Sequence, residues 1–205
     1  MGQKMSSTLS ASSFVGVWQR ESLSVENGAA YEDSNVLWVH AGDYFADLRW
    51  PKTGANQVQI SAFAGRATWN APRMHFDHEV DLTKEFAQDV GNLCFSEGKL
   101  IEKGQVMVED KAIRFEETWV RLTTPDETTC LVVRKSESAG AGYLVRVGNY
   151  AIAMEETDTG FNAGAWKYSA QAWRCLYGLG NPDNLAFLLT SFTNKTAPLN
   201  WQVLI

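Results

Sequence analysis

Apolar and polar positions alternate with a period of two along most of the chain, and a helical period is hard to find. Trp18 to Ser24 reads as a first strand, ended by Glu26-Asn27-Gly28. Val36 to Ala41 reads as a second, followed by a Gly42-Asp43 turn. Tyr44 to Trp50 comes next and stops at Pro51, which cannot donate to a ladder. A Lys52 to Asn56 loop precedes Val58 to Trp69, and Pro72 separates that strand from Met74 to Leu82. Thr83 to Asp89 has room for one helical turn. Further strands are predicted near Leu93 to Phe95, Leu100 to Lys103, Ile113 to Leu122, Thr129 to Lys135, Gly142 to Val147 and Tyr150 to Glu155. Lys167 to Tyr177, Leu185 to Phe192 and Trp201 to Ile205 complete the set. Pro125-Asp126 marks a turn, and Ser136 to Gly142 reads as the loosest link. Roughly a dozen short strands at about 8–15-residue spacing, without long helices, predict an all-β sandwich or barrel.

Composition narrows the picture. The 205 residues are 45% hydrophobic and 12% aromatic with eight Trp, enough for a sizeable core in a single domain. Lys and Arg number 18 against 24 Asp and Glu, a formal charge of −6, and no basic run exceeds two residues. That balance argues against nucleic acid and against an anionic membrane surface as partners. No apolar run is long enough for a membrane helix. Residues 1–13 are small and polar, without a signal-like apolar stretch, and read as a flexible N-terminal arm before a barrel domain over 14–205. Cys94, Cys130 and Cys175 are odd in number and widely spaced, which favours reduced thiols and a cytoplasmic location.

Short motifs sharpen the fold. Gly16-x-Trp18 stands just before the first strand, where lipocalins place a tryptophan across the closed end of the barrel. A longer series follows: Phe63-Ala64-Gly65, Phe76-x-His78, Asp89-x-Gly91, Glu102-Lys103-Gly104, Glu117-x-Trp119, Gly142-Tyr143-Leu144-Val145 to Val147-Gly148, and Leu199-Asn200-Trp201-Gln202-Val203. This order resembles the fungal family described as interactors of a yeast casein-kinase-one homologue. It departs from that family near His78, where the family carries an aromatic. The resemblance implies an antiparallel lipocalin-like (calycin-like) β-barrel and brings no reaction with it.

Alternation between the inside and outside of a barrel selects the candidate chemistry. In Ile113 to Arg121, Glu117 falls between Phe115 and Trp119 on the expected inner face, where burial should raise a carboxyl pKa. The alternative is that Glu117 pairs with an arginine to hold the barrel's shape. His78 shares a face with Met74, Phe76, Val80 and Leu82. Trp38 and His40 share one face of the second strand with Val36. Phe45, Asp47 and Arg49 lie together on one face of the third strand: outward they form a surface ion pair, inward Arg49 can hold an anion or carbonyl group with Asp47 orienting it. Glu102 follows Leu100 at a period of two and is expected to face Glu117 across a cavity. Arg20, on the Trp18 face, is expected to stack on that ring. Glu117, His78, Asp47 and Arg49 are thus the candidate catalytic groups, and Trp38, His40, Phe45, Glu102, Phe115 and Trp119 the candidate ligand-binding ones.

Phosphate-cradling glycine loops and nucleophile elbows are missing from the sequence. His75 and His78, three apart on a strand, point to opposite faces, so neither a metal nor another cofactor is expected. Three functions follow as expectations. One is a cofactor-free enzyme of biosynthesis, an isomerase, cyclase or hydration/elimination lyase working by general acid–base catalysis on an apolar or aromatic metabolite. The second is a non-catalytic carrier or sensor of such a ligand, and the third a protein–protein interaction module. A monomer or homodimer fits each. An interior cavity above about 300 Å³ favours the first two over the third.

Overall fold

The computed structural model describes residues 9–53, 59–85, 87–124, 129–135, 140–191 and 200–205. Eight strands, β1 (Gly16–Val25), β2 (Ser34–Ala41), β3 (Tyr44–Pro51), β4 (Ser61–Asn70), β5 (Arg73–Asp81), β6 (Gln88–Ser96), β7 (Lys99–Val108) and β8 (Lys111–Arg121), pair antiparallel in chain order. β8 returns to β1, from Trp18 opposite Arg121 to Val25 opposite Phe115, and closes the barrel. The fold class is therefore the all-β, antiparallel, lipocalin-like barrel that the motifs imply.

The expected barrel domain over 14–205 comprises this closed barrel and a second sheet packed on its wall. The sheet is built from β9 (Cys130–Lys135), β10 (Gly142–Val147), β11 (Tyr150–Thr157), β12 (Gly160–Ser169), β13 (Ala172–Leu179) and β14 (Trp201–Val203), in the order β13-β12-β11-β10-β9-β14. Its inner face, with Val132, Val145, Ile152 and Met154, forms one apolar core with Val17, Leu37, Val39, Ala46 and Leu48 on the barrel's outside. Its outer face, with Leu144, Ala153, Trp166 and Trp201, is covered by α1 (Asp183–Ala186) and α2 (Leu188–Ser191). Strands β2 and β3 are thus buried on both faces, which is why alternation alone could not orient β3.

Three elements differ from the sequence reading. Thr83 to Asp89 holds no helical turn among its described residues; Asp81 Oδ1 accepts from the backbone N–H groups of Thr83 and Lys84 and ties a bend there instead. Leu185 to Ser191 is helical rather than extended, because its leucines cap a sheet face instead of joining a ladder. Lys167 to Tyr177 is two strands, β12 and β13, reversed at Ala170 and Gln171, both at positive φ. Neither is a usual residue for that backbone region, so the turn carries no Gly or Asn signal. Residues 54–58, 125–128, 136–139 and 192–199 lie outside the described residues, and with them parts of the predicted 52–56 loop, the start of the predicted strand at Val58, the Pro125-Asp126 turn, part of the Ser136 to Gly142 link and the end of the predicted strand at Phe192.

At one end the barrel is shut by Trp18, fully buried, whose indole donates to the Phe14 carbonyl at 2.8 Å. Residues 11–14 form a 3-10 turn, and the Leu9 carbonyl accepts from the Trp69 indole. Residues 1–8 of the expected flexible arm lie outside the described residues.

Candidate functional site

The other end of the barrel leads into a cavity of about 240 Å³. Its floor is aromatic, from Trp38, Phe45, Phe63, Phe76 and Trp119, and its mouth is formed by Leu23, Val25, Val90, Val106, Ile113 and Phe115. Between floor and mouth stand Arg20, Asp47, Arg49, Asp89, Glu102 and Glu117. The volume falls below the ~300 Å³ set above, so size alone does not favour the two ligand-binding functions over an interaction module. It exceeds the roughly 150 Å³ that suffices for a benzene ring.

Each charged group comes from a known register. Phe45, Asp47 and Arg49 point inward because Ala46 and Leu48 are taken by the second sheet. Asp47, 3% exposed, accepts from Arg49 Nε at 2.8 Å and from Arg49 Nη2 at 3.4 Å. Burial works against the Arg49 charge, but Asp47 and Glu117 outweigh it and hold its pKa above the usual value. Burial likewise raises the Asp47 pKa, against the pull of Arg49. Arg20 donates from Nη1 to Glu117 Oε1 at 2.5 Å and from Nε to Glu32 Oε2 at 2.7 Å. Arg49 Nη1 is 3.7 Å from the same Glu117 oxygen. Glu117 is therefore shared by two guanidiniums, the arrangement weighed above as its structural alternative.

Glu102 is the exception. It pairs directly with Glu117 on the neighbouring strand, rather than facing it across the barrel as expected. It is 7% exposed and has no hydrogen-bond partner among the described residues. Burial first, and the Glu117 charge second, push its pKa up to about 8, with Arg49 opposing. The raised carboxyl anticipated at Glu117 is thus found one strand away. Gly91 makes this possible, since a Cβ there would stand 2.2 Å from Glu102 Oε1.

Three sequence expectations are corrected. Arg20 does not stack on Trp18; Arg121 does, with its guanidinium 4.4 Å from the ring centroid and its Nη atoms donating to the Ser13 and Val15 carbonyls. Arg20 is held away by the two carboxylates. His78 faces inward but does not line the cavity: it stacks on Phe63 at 4.4 Å, and its Nδ1 lies 2.7 Å from Asp81. Past His78 a register shift opposite Ala64 and Gly65 turns Val80 to the outer core, so the expected apolar face ends there. A Cβ on Gly65 would lie 2.0 Å from the Asp77 carbonyl oxygen, so the bulge requires a glycine. His40 is buried beside Trp38 below the cavity, and beyond a contact with the Gly42 backbone neither ring nitrogen has a well-formed hydrogen bond among the described residues. Burial pushes its pKa down to about 4, leaving a neutral packing group.

Of the candidates, Glu117, Asp47, Arg49, Trp38, Phe45, Glu102, Phe115 and Trp119 meet in the cavity; His78 and His40 do not. Sequence reasoning missed Arg20, Asp89 and Glu32 as members of the cluster. Arg20 carried a signal, sharing the inner face of β1. Glu32 carried none, because it lies in the connection between β1 and β2.

These features define a class: a closed eight-stranded lipocalin-like barrel with a charged cavity over an aromatic floor. The sequence signature of the family described as Protein HRI1 matches residues 16–202, and the chain belongs to that family. This agrees with the resemblance carried by the motif series. No curated protein matches the chain in sequence. The crystal structure of uncharacterized protein YLR301w from Saccharomyces cerevisiae is similar with a TM-score of 0.72, covering 92% of this chain and 97% of that one at 15% identity. At that identity the likeness speaks for the fold alone. Among the described residues no helix is long and apolar enough to cross a membrane.

Proposed function

We propose that this protein is a small-molecule-binding barrel, a carrier or sensor whose ligand is a small aromatic or apolar molecule seated in the cavity. The observation that carries the reading is Glu102, a carboxyl that makes no hydrogen bond among the described residues and lines a charged cavity over an aromatic floor. A carboxyl that no protein donor engages is free to meet a ligand bound in the cavity. Native mass spectrometry of the protein incubated with a metabolite extract tests this. A bound mass of single-ring size is expected for the wild type and not for Val106→Trp, which fills the mouth. Equal adducts on both proteins, or none on either, contradict it.

The same carboxyl favours a second reading, a cofactor-free acid–base enzyme. A group titrating near 8 beside Arg49 is suited to moving a proton at neutral pH. In that reading Glu102 takes the acid–base role first assigned to Glu117, and Glu117 positions Arg20 and Arg49. Once a turnover assay exists, Glu102→Gln should lower turnover by about 10²–10⁴-fold with little change in KM. Unchanged turnover in Glu102→Gln would remove Glu102 from the acid–base role, and no turnover with any ligand that binds would leave the carrier or sensor reading.

A further inference from the structure

The charges lining the cavity are unequal. Asp47, Asp89, Glu102 and Glu117 face only Arg20 and Arg49, and Glu32 takes part of Arg20 from outside the lining. Both guanidiniums are already engaged, Arg49 with Asp47 and Glu117, Arg20 with Glu32 and Glu117. An anionic ligand would have to compete with these carboxylates for the two guanidiniums. A cation displaces no hydrogen bond of Glu102, which has none among the described residues and lies directly beside Glu117. The floor is aromatic, and ring faces attract cations where water is excluded.

We infer that the ligand of this cavity is a small organic cation, its charge held by the Glu102–Glu117 pair and its apolar part against the Trp38, Phe45, Phe76 and Trp119 rings. This rests on the small-molecule-binding reading and adds the ligand's chemical class. Binding is coupled to a proton. Glu102 is mostly neutral at pH 7, and an incoming cation favours its ionised form, so affinity rises with pH. The groups that face Glu102 are Glu117 on β8, Asp47 and Arg49 on β3 and Asp89 on β6, with Arg20 on β1 reached through Glu117. His78 on β5 touches this set through Asp89, at 3.4 Å, and also titrates. A pH effect carried by Glu102 must therefore vanish in Glu102→Gln.

Isothermal titration with three single-ring probes tests the inference: phenyltrimethylammonium, whose charge does not titrate, benzyl alcohol and benzoate. The cation should bind at least about tenfold more tightly than the other two. Its affinity should rise about tenfold from pH 7 to pH 9, the range over which a group near 8 ionises, and level off above. Glu102→Gln should lose about tenfold in affinity at pH 9 and lose the pH dependence. Tightest binding of benzoate or benzyl alcohol overturns the cation while leaving the cavity a binding site. Cation affinity that is independent of pH in the wild type, or a pH slope that survives in Glu102→Gln, also overturns the inference. If no probe of any charge binds, the small-molecule reading falls with it.

Discussion

Glu102 and Glu117 stand side by side and do opposite things to stability. Glu102 in the folded protein titrates near 8, above the ordinary 4.5, so the folded state holds its proton more tightly than the unfolded chain does. That group contributes nothing adverse below pH 4.5 and costs stability progressively as pH rises from there to about 8. Glu102→Gln should therefore raise the melting temperature at pH 8, and the gain should shrink to nothing near pH 4. Glu117→Gln should lower the melting temperature. It leaves Arg20 buried with Glu32 alone and weakens the Arg49 pairing, and removing one partner of a buried pair costs about 3–5 kcal/mol. Thermal melts check both, with Glu102→Gln followed across pH 4–9. At His78 burial alone would lower the pKa, but Asp89 and Asp81 raise it above the ordinary 6.5. The stabilisation its protonation brings is complete below pH 6.5 and fades as pH passes the raised value. NMR titration of the His78 ring should give a midpoint above 6.5 that falls in Asp81→Asn; an unchanged midpoint would remove Asp81 from the account.

At the scale of elements, the period-two pattern located nearly every barrel strand, because inner positions are mostly apolar and alternate with outer ones that meet solvent or the second sheet. The inner face of β8, with Phe115, Glu117 and Trp119, was legible for that reason. What was not legible depends on contacts between distant segments. The direction of Asp47 and Arg49 was set by the second sheet's claim on Ala46 and Leu48, and the choice of Arg121 over Arg20 as the partner of Trp18 by Glu32 and Glu117. The bulge that separates His78 from Val80 turns on a single close approach, at Gly65. Gly65→Ala should therefore destabilise the protein by about 3 kcal/mol or more, since an added Cβ meets backbone rather than a movable side chain. A denaturation midpoint equal to wild type would show that the bulge can relax. The second sheet was harder to read where small residues dominate: β12 begins Gly160-Phe161-Asn162-Ala163-Gly164 and shows little alternation.

The whole molecule is a barrel shut at one end by Trp18 and Arg121, open at the other over a charged cavity, and braced along β1–β5 by a six-stranded sheet. Bracing one wall leaves the cavity mouth, on β1 and β6–β8, free of the second sheet. The account's central claim is that this cavity is where the protein meets its ligand. Trp38 and Trp119 report on it directly, because both line the cavity and their indole N–H groups have no hydrogen-bond partner among the described residues. The most direct measurement is a ¹H–¹⁵N NMR titration of the eight tryptophan indoles with a single-ring ligand, each signal assigned by a Trp→Phe variant. The account predicts that the Trp38 and Trp119 signals shift together with saturation, while Trp166, Trp173 and Trp201 on the second sheet stay still. Shifts confined to those second-sheet tryptophans, with Trp38 and Trp119 unmoved at saturation, would contradict it.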